Sequence, residues 1–489
     1  MSSLLGRGDD LGWLGYFIGR NETLKSLYVY YLPTKVEKFF FGVQRNKSIK
    51  AVDICNYINE SLSVMNLPHV TSMSFECQLE GEYAHYFALG LRRCTSLKKY
   101  SGQLTAEIVE SLTTLPMLEK VHVWKNGGLA ISREECMALR ELLANANKLK
   151  HLDLSGVGLE DDGLKLLAQG LACNSSLADG VLNLSSNDIG DTGLQALASS
   201  LASSGKVREL RLSRNNFGDK GLEALANLLA HNRALRYLSF SGNTAITKIG
   251  VRAISRSIQS RKYRLEDLRL DRINICEDGG KILGDALCED NDMSIGDNGL
   301  KALAVGLLRN SHLKKLNLSE NTAITSVGLR SLKQYFRSPT CALKTLIIKS
   351  VNIGDEGACA LADALGRNKS LKRLSFCNRG ITSKGMKAFL KLICDSSSPN
   401  SIYLSNHTIC SLSTFGDESE LQKNITTWLG MNRRCDARNA AKSKIMHFFP
   451  DLDMVPLFQW NLKFLPLVKS WFDTVASPND DFVASIRNK

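Results

Sequence analysis

The phrase Leu-x-x-Leu-x-Leu-x-x-Asn recurs along the chain at a nearly constant distance, and a period of that length constrains the fold more tightly than any local propensity. Clear copies are Leu149-Lys-His-Leu-Asp-Leu154, Val207-Arg-Glu-Leu-Arg-Leu-Ser-Arg-Asn215 and Leu235-Arg-Tyr-Leu-Ser-Phe-Ser-Gly-Asn243. Leu265-Glu-Asp-Leu-Arg-Leu270, Leu313-Lys-Lys-Leu-Asn-Leu-Ser-Glu-Asn321, Leu343-Lys-Thr-Leu-Ile-Ile348 and Leu371-Lys-Arg-Leu-Ser-Phe376 follow. Starts at 207, 235, 265, 313, 343 and 371 are spaced by 28, 30, 48, 30 and 28 residues. The alternation within each phrase predicts a short strand with one buried face. Between the phrases stands a second block, as in Ile189-Gly-Asp-Thr-Gly-Leu-Gln-Ala-Leu-Ala198, Phe217-Gly-Asp-Lys-Gly-Leu-Glu-Ala-Leu-Ala226 and Ile353-Gly-Asp-Glu-Gly-Ala-Cys-Ala-Leu-Ala362. Its leucines fall on one helical stripe, small alanines let the helix lie close to the strand, and the Asp supplies N-terminal capping chemistry. One strand and one helix cannot close a core, so consecutive units must stack.

These two blocks together resemble the ribonuclease-inhibitor class of leucine-rich repeats, most specifically over 149–405. The resemblance implies an α/β fold, a right-handed horseshoe with a concave parallel sheet and convex helices. It also implies that the ninth-position asparagine bonds backbone between turns. Asn126, Asn187, Asn215, Asn243 and Asn321 match that position, whereas Val157, Ile273, Val351, Arg379 and His407 depart from it, so the ladder is expected to be interrupted there.

Weaker copies extend towards the start. Leu24-Lys-Ser-Leu-Tyr-Val29, Ile49-Lys-Ala-Val-Asp-Ile54, Val70-Thr-Ser-Met-Ser-Phe75 and Leu118-Glu-Lys-Val-His-Val123 keep the strand pattern, and Leu97-Lys-Lys-Tyr100 begins one. The array is expected to begin within the helix of an incomplete unit. The 48-residue interval is short for two units and lacks a strand near 288–295. It predicts either a broken inner sheet, a gene model that lost a strand, or natural degeneration of the unit. After about 411 the period vanishes. Ser419–Leu429, Asp436–Phe449 and Asn461–Val475 read as helices carrying Trp428, Trp460 and Trp471. They form a C-terminal helical cap over the last exposed core, or an added docking surface. The expected organisation is degenerate repeats over 1–148, regular repeats over 149–410 and the cap over 411–489.

Composition narrows the function. Net charge is +13, which favours acidic partners, yet no run of five like charges supplies a nucleic-acid footprint. The 13 cysteines are scattered with no CxxC pair, as in a reduced, cytoplasmic protein, and neither metal nor cofactor is expected. Acidic Asp9 and Asp10 precede the first apolar stretch, unlike a signal peptide, and no apolar run approaches membrane-spanning length. Phosphate-loop, dinucleotide, zincin and nucleophile-elbow motifs are all missing. No catalytic residues are expected and the chain reads as a non-enzyme.

Strand alternation turns positions three, five and seven of each phrase away from the core. Two groups there have the composition of binding hot spots: Arg211, Arg214, Tyr237, Arg269 and Arg272, and, nearer the start, Tyr28, Tyr30, Tyr31, His122 and Trp124. The leading expectation is a monomeric scaffold holding an acidic protein partner on the concave face, with no nucleic acid and no membrane. A basic chain would repel basic ribonucleases. Kinship with Ran GTPase-activating proteins leaves open an action on a small GTPase, with Arg214 the first candidate. The repeat regions of nucleotide-binding innate receptors suggest a recognition module, and the basic face suggests RNA.

Overall fold

A computed structural model of the chain describes residues 12–30, 37–55, 62–63, 65–76, 78–79, 82–125, 130–174, 176–177, 179–204, 207–258, 265–273, 297–351, 353–376, 380–413 and 420–452. Two compact units form, one from Met1–Ile246 with Lys262–Leu265, the other from Thr247–Arg261 and Glu266–Lys489. Each is a stack of strand-and-helix repeats.

Among its described residues the first unit carries nine strands: β1 (Ser26–Val29), β2 (Ala51–Ile54), β3 (Ser72–Phe75), β4 (Lys99–Gln103), β5 (Lys120–Trp124), β6 (His151–Asp153), β7 (Val181–Asn183), β8 (Glu209–Arg211) and β9 (Tyr237–Ser239). Every strand pairs in parallel with the next. The second unit repeats the plan with β10 (Asp267–Arg269), β11 (Lys315–Asn317), β12 (Thr345–Ile348), β13 (Arg373–Phe376) and β14 (Ser411–Ser413). Parallel order follows because nearly every strand returns by way of a helix, β2 to β3 being the exception among the described residues, and those helices pack side by side, Glu160–Cys173 between Arg133–Asn145 and Asp191–Ser204. In most repeats positions four and six of the phrase are buried, as at Leu152 and Leu154, and so are helical leucines such as Leu164, Leu167 and Leu171. Each such leucine contributes about 2 kcal/mol of transfer free energy.

Backbone polarity at the turns is satisfied by three sets of side chains that reach from one repeat to the next. The ninth-position asparagines form the first. Asn187 donates from Nδ2 to Leu154 O at 2.7 Å, and its Oδ1 accepts from Val157 N and Leu159 N. Asn215 donates to Leu184 O and accepts from Asn187 N and Ile189 N. In the second unit Asn321 donates to Leu270 O and accepts from Ile273 N. The apolar residues Val157 and Ile273 thus break only half of the ladder, because the following asparagine still serves their N–H groups. Asn126 and Arg379 lie outside the described residues.

A second set stands at the opposite end of the helices. Asn174 donates to Ala146 O at 3.1 Å and accepts from Ser176 N and Leu177 N. Asn310, Asn368, Asn406 and Asn432 do the same for Ile258 O, Phe336 O, Leu365 O and Ile409 O.

The third set corrects the expected capping. The Asp of Gly-Asp-x-Gly-Leu does not cap its own helix; it accepts from the start of the following one. Asp191 Oδ1 takes Gly218 N and Gly221 N, both at 2.8 Å. Asp355 takes Thr382 N, Gly385 N and the Thr382 hydroxyl, and bonding to Thr382 holds its carboxyl below the usual range. This explains the glycine at the start of the following helix, as at Gly221 and Gly385. A Cβ on Gly385 would stand 2.7 Å from Asp355 Oδ1 and 2.7 Å from Ile381 Cγ2.

Of the readings of the 48-residue interval, the broken inner sheet is not what forms: β10 and β11 pair directly, Asp267 with Lys315; residues 274–296, including the suspect 288–295, lie outside the described residues. The turn assigned to His407 is also misplaced. Its Ile402-Tyr-Leu404 spacing resembles a strand, yet Pro399–Leu404 is a helix with Ser398 as N-cap and proline in its first turn, and the strand follows at β14. Pro is pre-organised for a helix start and donates no ladder bond.

Helices Glu420–Arg434 and Ala437–Phe448 stand where the sequence placed them, and Glu420–Arg434 packs on Ser383–Ile393. The expected third helix lies outside the described residues. Lys444, fully buried, closes this end. Its Nζ donates to Ile393 O and Asn432 Oδ1, each at 2.8 Å, and stands 3.3 Å from His407 Nδ1. His407 Nε2 lies 3.0 Å from Ile402 O, which assigns the ring proton to Nε2 and leaves Nδ1 as an acceptor for the ammonium. Burial lowers both groups, Lys444 to about 8 and His407 to about 4.

Two outcomes follow. Gly385→Ala should lower unfolding free energy by about 1–3 kcal/mol, since neither neighbour can recede freely; a denaturant titration with unchanged midpoint would show that the cross-repeat capping does not fix this glycine. For Lys444, folding depresses the proton affinity, so the unfolded chain holds more protons between pH 8 and the usual lysine range and stability climbs with pH there. Subtracting the pH profile of Lys444→Met from that of the native protein should isolate that climb. A flat difference would disprove the assignment.

Candidate interaction surface

Because every strand is in register with the next, residues at one phrase position form rows across the exposed strand face. In the first unit the position-five row runs Tyr28, Asp53, Ser74, Ser101, His122, Asp153, Asn183, Arg211, Ser239. The position-three row beside it holds Ser72, Lys99, Lys120, His151, Val181, Glu209 and Tyr237. Exposure along the first row is uneven: Tyr28 is 62% exposed, whereas Asn183 and Ser239 are buried.

The structure groups some of the expected residues and separates others. Tyr28 and Tyr30 (60% exposed) sit at β1 and its end, His122 and Trp124 on β5. Four strand spacings of about 4.8 Å lie between them, so the aromatic group divides into two places. Tyr31 lies outside the described residues. The Tyr28 hydroxyl accepts from Cys55 Sγ at 3.2 Å, and Cys55 contacts Glu76 Oε2 at 3.3 Å; the bond to Cys55 raises Tyr28 to about 12. His122 Nδ1 stands 3.2 Å from Ser101 Oγ, and Trp124 is half-buried.

The arginines fall into both units. In the first, Arg211 spans Glu209 Oε1 at 2.6 Å and the Tyr237 ring at 5.6 Å, so its charge is largely answered by its own strand. Arg214 is exposed. In the second, Arg269 lies 3.8 Å from Asp267 and Arg272 pairs with Glu320. Position three was represented among the candidates only by Tyr237; the column adds Lys99, Lys120 and His151, and reading it down the phrases would have found them.

Arg214 has φ +56°, but so does Arg272, and Ser186, Glu320 and Ser350 take φ of 58–61°. All occupy position eight, where Gly156 and Gly242 stand in other repeats. The left-handed turn aims that N–H at the next repeat: Ser186 N to Ser213 O, Arg214 N to Ser241 O at 2.7 Å, Glu320 N to Lys349 O. The conformation therefore belongs to the repeat, not to a special arginine.

On the helix side of the second unit, a cleft is lined by Arg330, Lys333, Glu356, Asp363 and Lys384. Arg330–Glu356 at 3.1 Å and Lys333–Asp363 at 2.5 Å neutralise much of it internally. Among the described residues no group of three or more His, Cys, Asp or Glu could hold a metal ion, and no helix is long and apolar enough to cross a membrane. The nine described cysteines are free thiols.

Known proteins share the repeat. A family model described as Leucine Rich repeat matches residues 145–168, 181–198, 205–226, 231–255 and 309–333. A ribonuclease inhibitor of Sus scrofa is 27% identical over 337 residues, covering 62% of this chain and 72% of that protein. One of Mus musculus is 28% identical over 250 residues, covering 51% of this chain and 49% of that protein. NACHT, LRR and PYD domains-containing protein 14 of Mus musculus is 29% identical over 254 residues, 52% of this chain but 20% of its own length. The chain thus spans less than half the length of the last two.

If the left-handed turn costs Arg214 what it costs other side chains, Arg214→Gly should raise stability by about 1 kcal/mol. Thermal unfolding that shows a loss would mean that the arginine side chain supports the turn.

Proposed function

We propose that this chain, a leucine-rich-repeat protein of the ribonuclease-inhibitor-like class, holds a protein partner against the exposed rows of its strands. One observation carries the reading: the in-register strands set side chains in fixed, solvent-facing rows, with the turns on either side pinned by buried asparagines. Such a surface offers side chains over several strands, and a broad face suits a protein ligand better than a small molecule. Tyr28 and Tyr30 are large, exposed and amphipathic, and Arg211 is held rigid over Tyr237, so each would lose little rotamer entropy on contact. Two of the relatives are named for inhibiting ribonucleases, which accords with a binding role. The partner is acidic on this reading, and the protein acts as a cytoplasmic monomer without cofactor or catalysis of its own.

Action of Arg214 on a small GTPase draws no support from its backbone, which is that of Ser186, Arg272, Glu320 and Ser350 at the same position.

Partners captured by proximity labelling in the source cell should be displaced by substitutions on the strand rows. Arg211→Glu and Tyr28→Ala are each expected to weaken the complex by roughly 1–3 kcal/mol while leaving unfolding nearly unchanged. Arg269→Glu tests the second unit in the same way. Binding that survives all three, measured by titration, removes the strand face as the site.

A further inference from the structure

Two lysines stand side by side in the position-three row. Lys99 on β4 and Lys120 on β5 are register partners, both exposed, and His151 on β6 is the next in line. Among the described residues the side chain of neither lysine makes a hydrogen bond or ion pair, their bonds being those of the backbone amides to Thr71 O and Lys98 O. Like charges directly opposite across strands destabilise a sheet. Elsewhere the same row avoids that arrangement: in the second unit Lys315 meets Asp267 at 3.2 Å, across from it on β10.

The surroundings leave this charge unanswered. Lys98 is next to Lys99 in sequence, and Lys150, also exposed, next to His151. Of the nearby carboxylates, Glu119 is taken by Lys98 at 3.2 Å. Asp153 Oδ1 accepts from Ser155 N, Ser155 Oγ and Asn183 Nδ2. Glu209, three strands beyond Lys120, is held by Arg211.

We infer that the row Lys99–Lys120–His151 docks an acidic segment of a protein partner, whose carboxylates supply the counter-charge that the fold leaves out. The inference rests on the strand-face reading above and specifies its chemistry. The row crosses three strands, so its span is about 10 Å, and carboxylates two residues apart on an extended peptide, about 6.6 Å, fit within it. The Ser101 hydroxyl and His122 in the adjacent row can donate to the same carboxylates or to the peptide backbone. A nucleic-acid backbone fits less well: Ser72 and Val181, which flank the row, offer no ring for base stacking, and Glu119 and Asp153 lie beside the lysines.

The test uses the full chain with three probes: a fluorescent Glu-rich peptide, the same peptide with Gln for Glu, and a single-stranded homopolymeric RNA. The Glu peptide should bind, the Gln peptide should not, and Lys99→Glu with Lys120→Glu should weaken the Glu peptide by about tenfold or more at moderate salt. Lys344→Glu, in the second unit, should leave it unchanged. A separate readout excludes a structural role. Lys120→Glu places an anion between Lys99 and His151, so unfolding temperature should hold or rise. The inference is overturned if the double variant binds the Glu peptide as the native protein does, if RNA binds and the Glu peptide does not, or if Lys120→Glu unfolds the protein. A captured partner that responds to Arg211→Glu or Tyr28→Ala but not to the lysine variants would refute this row alone and leave the strand-face reading standing; a partner indifferent to every substitution would refute both.

Discussion

Each repeat can bury only one edge of its strand and one stripe of its helix, and its turns then bring backbone groups into the interior without a partner of their own. The asparagine side chains resolve this conflict. Asn215 alone serves Leu184 O, Leu212 O, Asn187 N and Ile189 N, and it is 8% exposed. A buried backbone group left without a partner costs about 1–3 kcal/mol, comparable with what one leucine contributes by burial. Stacking is therefore enforced by polar satisfaction as much as by apolar contact. A repeat without its neighbour would lose both.

The same dependence explains why the exposed rows are so regular. Asparagines at one end of each repeat, asparagines at the other and aspartates at the helix starts all fix the displacement between adjacent repeats. With that displacement set, a side chain at position three or five has no freedom to choose its neighbours; Lys120 must face Lys99 and His151. Pairings such as Lys315 with Asp267 show that the fold can place opposite charges in these rows. Where it places like charges, as at Lys99 and Lys120, stability has not been the deciding influence.

Much of this was legible in the sequence, and the part that was not has a definite cause. Leu-x-Leu alternation and the Gly-Leu-x-x-Leu stripe report burial, which depends only on a residue's own repeat, so strands at His151–Asp153 or Lys315–Asn317 could be read directly. Interactions between repeats were harder. Asp355 looks like a cap for the helix it begins, and only the geometry shows its carboxylate on Thr382 and Gly385 of the next one. His407 looked like a ninth position because Ile402 and Leu404 have strand spacing, yet Pro399 had already committed that segment to a helix. The 48-residue interval looked like a break because periodicity counts residues along the chain, whereas pairing requires only that the strands on either side come into register.

Candidate binding residues suffered in the same way. Choosing them by type favoured arginines and aromatics, and several of these are engaged at home: Arg211 by Glu209 and Tyr237, Arg272 by Glu320. An engaged arginine is rigid but partly neutralised, so it can anchor an aromatic or carbonyl contact more readily than it can attract an anion from a distance. Lys99 and Lys120 have the opposite character, being exposed and unanswered, and long-range steering depends on such charge. Within the first unit the two kinds of residue therefore differ in what they can offer a ligand, the lysines an unanswered charge felt at a distance and Arg211 a rigid contact.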